Sequence, residues 1–108
     1  MFMNVYFTYT PKIENKYLAY LDHNVDVIKE ITDTVPYAKK NTDVLVNKED
    51  LEKLIKNLKT KKDHLLSITT RNKFQEERLK KTEEGIDSLQ LILDTFDFGQ
   101  SYLYIYYE

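Results

Sequence analysis

The sequence predicts a small α+β fold: a two- or three-stranded sheet, one amphipathic helix and a long helical hairpin. Three observations carry this. Residues 51–96 hold one heptad register, the two terminal segments alternate residue by residue, and only two Gly and two Pro are available for turns. So few turn signals suit long regular elements better than many short strands. At 108 residues the chain has room for a single domain, 1–108, with a modest core.

The first element is a strand over residues 2–9, FMNVYFTY. Met3, Val5, Phe7 and Tyr9 alternate with Phe2, Asn4, Tyr6 and Thr8, so one face is apolar and the other mixed. Thr10 and Pro11 then read as an N-cap and first helical position. From Ile13 to about Thr32 an amphipathic helix is expected, with Leu18, Leu21, Val25 and Ile28 on its apolar face. Pro36 ends it, because the residue before a proline avoids helical backbone. Residues 37–41 read as a loop. The DVLV run at 43–46 suits a short third strand. Asn47 caps the next helix, with Glu49 and Asp50 facing the positive end of its dipole.

The heptad region comes next. Leu51, Leu58, Leu65, Asn72, Leu79, Ile86 and Leu93 share one phase; Leu54, Lys61, Ile68, Gln75, Thr82, Leu89 and Phe96 share the other. One continuous helix would be roughly 70 Å long and would need a coiled-coil dimer to bury its seam. Folding back near 69–73 gives a helical hairpin instead. The hairpin gathers Lys61, Asn72 and Gln75 at its wet tip and returns the last strand to the first. We therefore expect the hairpin, with the long coiled-coil helix as the alternative. The phase runs through Gly85, so that helix should stay intact there. Gly99 reads as a helix stop after Phe98. The chain closes on a strand, SYLYIYYE, with Leu103, Ile105 and Tyr107 set against Tyr102, Tyr104 and Tyr106.

The net charge of −2 hides segregation. Residues 53–81 carry ten Lys or Arg against three acids, whereas residues 82–108 carry six acids and no base. Lys53, Lys56, Lys59, Lys62, Arg71, Lys73, Arg78 and Lys80 are the candidate contacts for an anion or a nucleic acid. Exposed helix faces with four-apart pairs such as Glu49–Lys53 and Glu76–Lys80 explain the same charges structurally. No zinc-finger spacing or glycine loop accompanies them. Glu83, Glu84, Asp87, Asp94 and Asp97 lack EF-hand spacing and read as an acidic helix face suited to a basic partner.

Nine tyrosines are many for this length. Tyr102, Tyr104 and Tyr106 should project from one sheet face, joined by Tyr6. These four are the candidate partner-binding residues, because tyrosine is enriched in interface hot spots. A ladder of half-exposed tyrosines is equally a structural device.

Chemistry is thinly represented. His23 and His64 sit beside Asp22 and Asp63, but neighbours on a helix point about 100° apart and make no ready dyad. Ser67, Ser88 and Ser101 lack a nucleophile-elbow context. The absence of Cys excludes disulfides and thiolate metal sites. No catalytic, cofactor-binding or metal-ligating residue is expected. The N-terminal segment has no basic n-region, and no window approaches about 18 apolar residues. The expectation is a cytoplasmic, non-enzymatic binding protein without membrane association, acting through protein–protein contact. It would resemble phage or mobile-element inhibitors of host or defence enzymes. A homodimer is a further expectation, and a nucleic-acid-associated protein using 53–81 is the alternative.

Overall fold

The computed structural model describes residues 4–9 and 18–108. Within them the order is β1 (Val5–Thr8), β2 (Ala19–Leu21), α1 (Val25–Thr34), β3 (Val44–Val46), α2 (Lys48–Ser67), α3 (Lys73–Thr95) and β4 (Leu103–Tyr107). The class is α+β, as the sequence predicts.

The terminal strands do pair. Val5 lies opposite Tyr107 and Phe7 opposite Ile105 in an antiparallel ladder. The short strand at 43–46 also forms, as β3, pairing Val44 with Ile105 and Val46 with Leu103. The sheet nevertheless has four strands, in the order β2-β1-β4-β3. The extra strand, β2, corrects the first predicted helix. Residues 19–21 pair with β1, Tyr20 opposite Tyr6 and Leu21 opposite Val5. Leu21 points into the core and Tyr20 away from it, a period of two where a period of 3.6 was expected. The three-residue spacing of Leu18 and Leu21 suits a helix face; here Leu18 is exposed and Leu21 buried, and pairing with β1 overrode the helical spacing. Residues 13–17 of that helix, and the Thr10–Pro11 cap, lie outside the described residues.

Helix α1 begins after Asn24, whose side chain accepts from the Val27 N–H at 3.3 Å. Its buried apolar face is Val27 and Ile31, whereas Val25 is exposed. Val35 is extended in front of Pro36, as expected. Asn47 caps α2 by accepting from Asp50 N–H at 2.7 Å.

The heptad region folds back over residues 68–72, so the single-helix alternative does not hold. Its turn needs neither Gly nor Pro. Asn72 and Gln75 form a capping box: Asn72 Oδ1 accepts from Gln75 N–H at 2.8 Å, and Gln75 Oε1 accepts from Asn72 N–H at 2.9 Å. Arg71 closes the preceding helix by donating to the carbonyls of Leu65 and Ile68. Helix α3 runs unbroken through Gly85 and stops at Thr95, with Phe96 as its cap, where the heptad register ends. The turn that follows is built by Asp97, whose carboxylate accepts from Gly99 N–H at 3.0 Å.

One core joins the layers. Val5, Phe7, Leu21, Val46, Leu103 and Ile105 of the sheet face Val27, Ile31, Leu51, Leu54, Leu58, Ile86 and Leu89 of the helices. Thr82 sits among them, fully buried, and its hydroxyl has no hydrogen-bond partner among the described residues. Thr82→Val keeps the shape and removes the unpaired hydroxyl. It should stabilise the protein by about 1 kcal/mol in urea unfolding; a loss of stability would mean the hydroxyl is satisfied in solution.

Candidate functional site

The predicted tyrosine face exists, with changed membership. The register aligns Tyr20, Tyr6 and Tyr106 across β2, β1 and β4. Ring centroids lie 4.9 Å apart for Tyr6 and Tyr20 and 6.0 Å apart for Tyr6 and Tyr106. Tyr6 is buried, and its hydroxyl donates to Glu108 Oε1 at 2.9 Å. It is therefore chiefly a cross-strand packing residue, with little of its surface left exposed. Tyr104 and Tyr106 are half-buried, and the Tyr106 hydroxyl donates to Asn41 Oδ1 at 3.3 Å. Tyr102 precedes β4 and is 71% exposed. Tyr20 is the member that sequence reasoning missed, because it was assigned to a helix.

The basic arm is partly consumed by the fold. Arg71 Nε donates to Glu76 Oε1 at 2.7 Å, besides holding the α2 terminus. Arg78 makes a bidentate pair with Asp26, at 3.0 and 3.2 Å. Asp26 holds the Arg78 guanidinium above its ordinary pKa, chiefly through those hydrogen bonds. The linkage sign is that of a raised cation: its stabilisation is complete at physiological pH and is lost only in strong alkali. Lys61, expected at the wet tip, instead reaches Glu30 at 3.0 Å and Asp26 at 3.6 Å. Asp26, Glu30, Lys61 and Arg78 thus tie α1 to both helices of the hairpin.

The remaining lysines are divided by helix geometry. Lys53 and Lys62 are nine residues apart, so they point to opposite sides of α2. Lys53 borders a groove with Glu30 and Asp33, whereas Lys56 and Lys59 border another with Glu52 and Asp63. Lys56, Lys59, Lys73 and Lys80 are exposed and Lys62 is half-buried. The eight candidates do not converge on one face.

The surface that does converge is apolar. One groove of about 280 Å³ is walled by Tyr9, Leu18, Leu91, Ile92 and Phe96. A second of about 300 Å³ is walled by Leu45, Val46, Phe98, Tyr102 and Leu103. Ser101 borders both, so they adjoin. Leu91 is 63% exposed and Leu45 53%. Phe96 and Phe98 pack edge to face at 4.9 Å and shape the wall between them. A third groove, about 370 Å³, lies between the start of α1 and α3, beside His23, Val25, Phe74 and Lys81. Its Arg78 guanidinium sits 6.0 Å from the Phe74 ring centre. Tyr37 is a separate exposed aromatic. It follows Pro36 in a turn closed from Ala38 N–H to the Val35 carbonyl at 3.3 Å, and its φ of 64° suits glycine better.

The register puts Leu91 off the seam and strand alternation turns Leu45 away from Val44 and Val46, but nothing in the sequence shows that the two exposed leucines border adjoining grooves. His23 approaches Asp22 at 3.6 Å, with both side chains more than half exposed. Among the described residues, no cluster of three His, Cys, Asp or Glu is placed to hold a metal ion, and no helix is long and apolar enough to cross a membrane. Comparison with protein-family models, curated proteins and solved structures found no significant match, so the surface itself carries the functional argument.

Proposed function

We propose that this chain is a non-enzymatic binding protein that works through protein–protein contact, with the joined grooves around Ser101 as its docking surface. The single observation behind this is the exposure of Leu45, Leu91 and Tyr102 along two adjoining apolar grooves. Contiguous exposed apolar surface costs solubility and marks contact sites on small proteins. Two of the three side chains are leucines held on regular elements, and the third is a tyrosine beside them. Rigid anchors of this kind lose little entropy on binding. The segregated charge and small size suit an inhibitor, such as phages and mobile elements direct at host or defence enzymes.

The test is capture from the native host with three proteins of equal thermal stability. Wild type and Lys56→Ala/Lys59→Ala/Lys62→Ala should retain the same protein partner, and Leu45→Ser/Tyr102→Ser should lose it. The reverse pattern, together with a steep salt dependence of binding to DNA or RNA, would establish the nucleic-acid reading instead.

A further inference from the structure

We infer that the groove beside Leu91 docks a segment of another protein that carries lysines or arginines around an apolar side chain. The inference rests on the protein-contact reading above and specifies the partner's chemistry.

Charge complementarity carries it. On α3, Asp87 and Asp94 lie four residues before and three after Leu91, so all three share one exposed face. Asp97 borders the same groove. No basic side chain among the described residues borders that groove, and residues 82–108 contain no Lys or Arg at all. Lys48 borders the adjoining groove. An apolar anchor inside an acidic rim repels acidic partners and attracts basic ones, which raises both association rate and selectivity.

A second observation is independent of the groove. The last turn of α3 has no basic residue, and Asp94 sits within it. Carboxylates at a helix C-terminus oppose the dipole. At the other end Lys73 and Glu76 share the first turn, so it is the C-terminal turn, with Asp94 and no base, that carries charge against the helix field. A local arrangement that works against stability points to a role outside the fold. Bound cationic groups would sit where both the carboxylates and the negative helix end favour them.

The probe is a fluorescein-labelled synthetic helix with leucines on one face and lysines on the other. Its twin carries glutamate in place of lysine. Fluorescence anisotropy should show binding of the lysine helix, weakening as salt rises from about 50 to about 200 mM. Leu91→Gln should weaken it at least about tenfold, and so should Asp87→Asn/Asp94→Asn. Asp33→Asn/Asp63→Asn removes equal charge elsewhere and should leave affinity unchanged. Equal weakening by that control would reduce the effect to net charge and overturn the inference. Failure of the lysine helix to bind would do the same. If the glutamate twin binds as well and depends on Leu91, the inference falls while the protein-contact reading stands. If neither helix binds and Leu91→Gln retains the host partner, the reading falls with it. Self-association that needs Leu91 and excludes the lysine helix would assign the groove to a second copy.

Discussion

Gly85→Ala is expected to destabilise the protein even though alanine is the better helix former. A Cβ at Gly85 would lie 2.6 Å from Val27 Cγ2, inside any normal contact distance. Val27 is fully buried, and its branched side chain has little rotamer freedom. Asn24 lies on the same side, its Nδ2 3.6 Å from that Cβ position and donating to the Lys81 carbonyl at 2.7 Å. The missing side chain is thus what lets the start of α1 rest on α3. Alanine gains about 1 kcal/mol of helix propensity. Overpacking a filled core costs about 1–3 kcal/mol, and here the blocking atom belongs to a stiff side chain. The expected net loss is about 0–2 kcal/mol, towards the upper end because Val27 is stiff, with a Tm drop of about 4–8 °C per kcal/mol for a domain near this size. A double-mutant cycle isolates the contact. In a Val27→Ala background the alanine should become neutral or stabilising, giving a coupling of at least about 1 kcal/mol. A higher Tm for Gly85→Ala alone would refute the close approach.

Asp26→Asn should cost about 2–3 kcal/mol. The Asp26 side chain is 11% exposed and receives Arg78 through two hydrogen bonds and Lys61 at 3.6 Å. Asparagine keeps the volume and removes the charge. Lys61 is left with Glu30 alone, and Arg78 loses its bidentate partner. Breaking a buried pair costs about 3–5 kcal/mol. That figure is discounted here because the Arg78 side chain is 41% exposed, so water can take over part of its solvation. Arg78→Met should cost less, since Asp26 keeps Lys61. Urea midpoints of the two variants check the order. A change below about 0.5 kcal/mol for Asp26→Asn would show that these charges do not tie the helices together.

These two positions show where sequence reasoning succeeded and where it stopped. The heptad phase correctly kept α3 intact through Gly85, but it could not say what crosses there. Asn72 and Gln75 entered the two seam phases as polar positions, and they are in fact a capping box. An N-x-x-Q helix start was present in the sequence, hidden by a register that happens to continue across the turn. Lys61 looked like a tip residue because its acidic partners belong to α1, more than thirty positions earlier.

By itself the sequence determined the α+β class, the pairing of the terminal strands, the Asn47 cap, the Pro36 stop, the fold-back of 51–96 and the segregation of charge. The cap, stop and charge layout follow from periodicity, backbone restriction and composition over a few residues; the fold-back and strand pairing follow from chain length and the placing of the polar seam positions. Only the tertiary structure decided the second strand, the helix contact at Gly85, the ion cluster at Asp26, the burial of Tyr6 and the adjoining of the grooves beside Leu45, Leu91 and Tyr102. Leu89 and Leu91 are the same residue type on the same helix. The register itself puts Leu89 on the seam and Leu91 off it; that Leu91 borders a groove with Tyr9 and Leu18 is a property of the assembled layers.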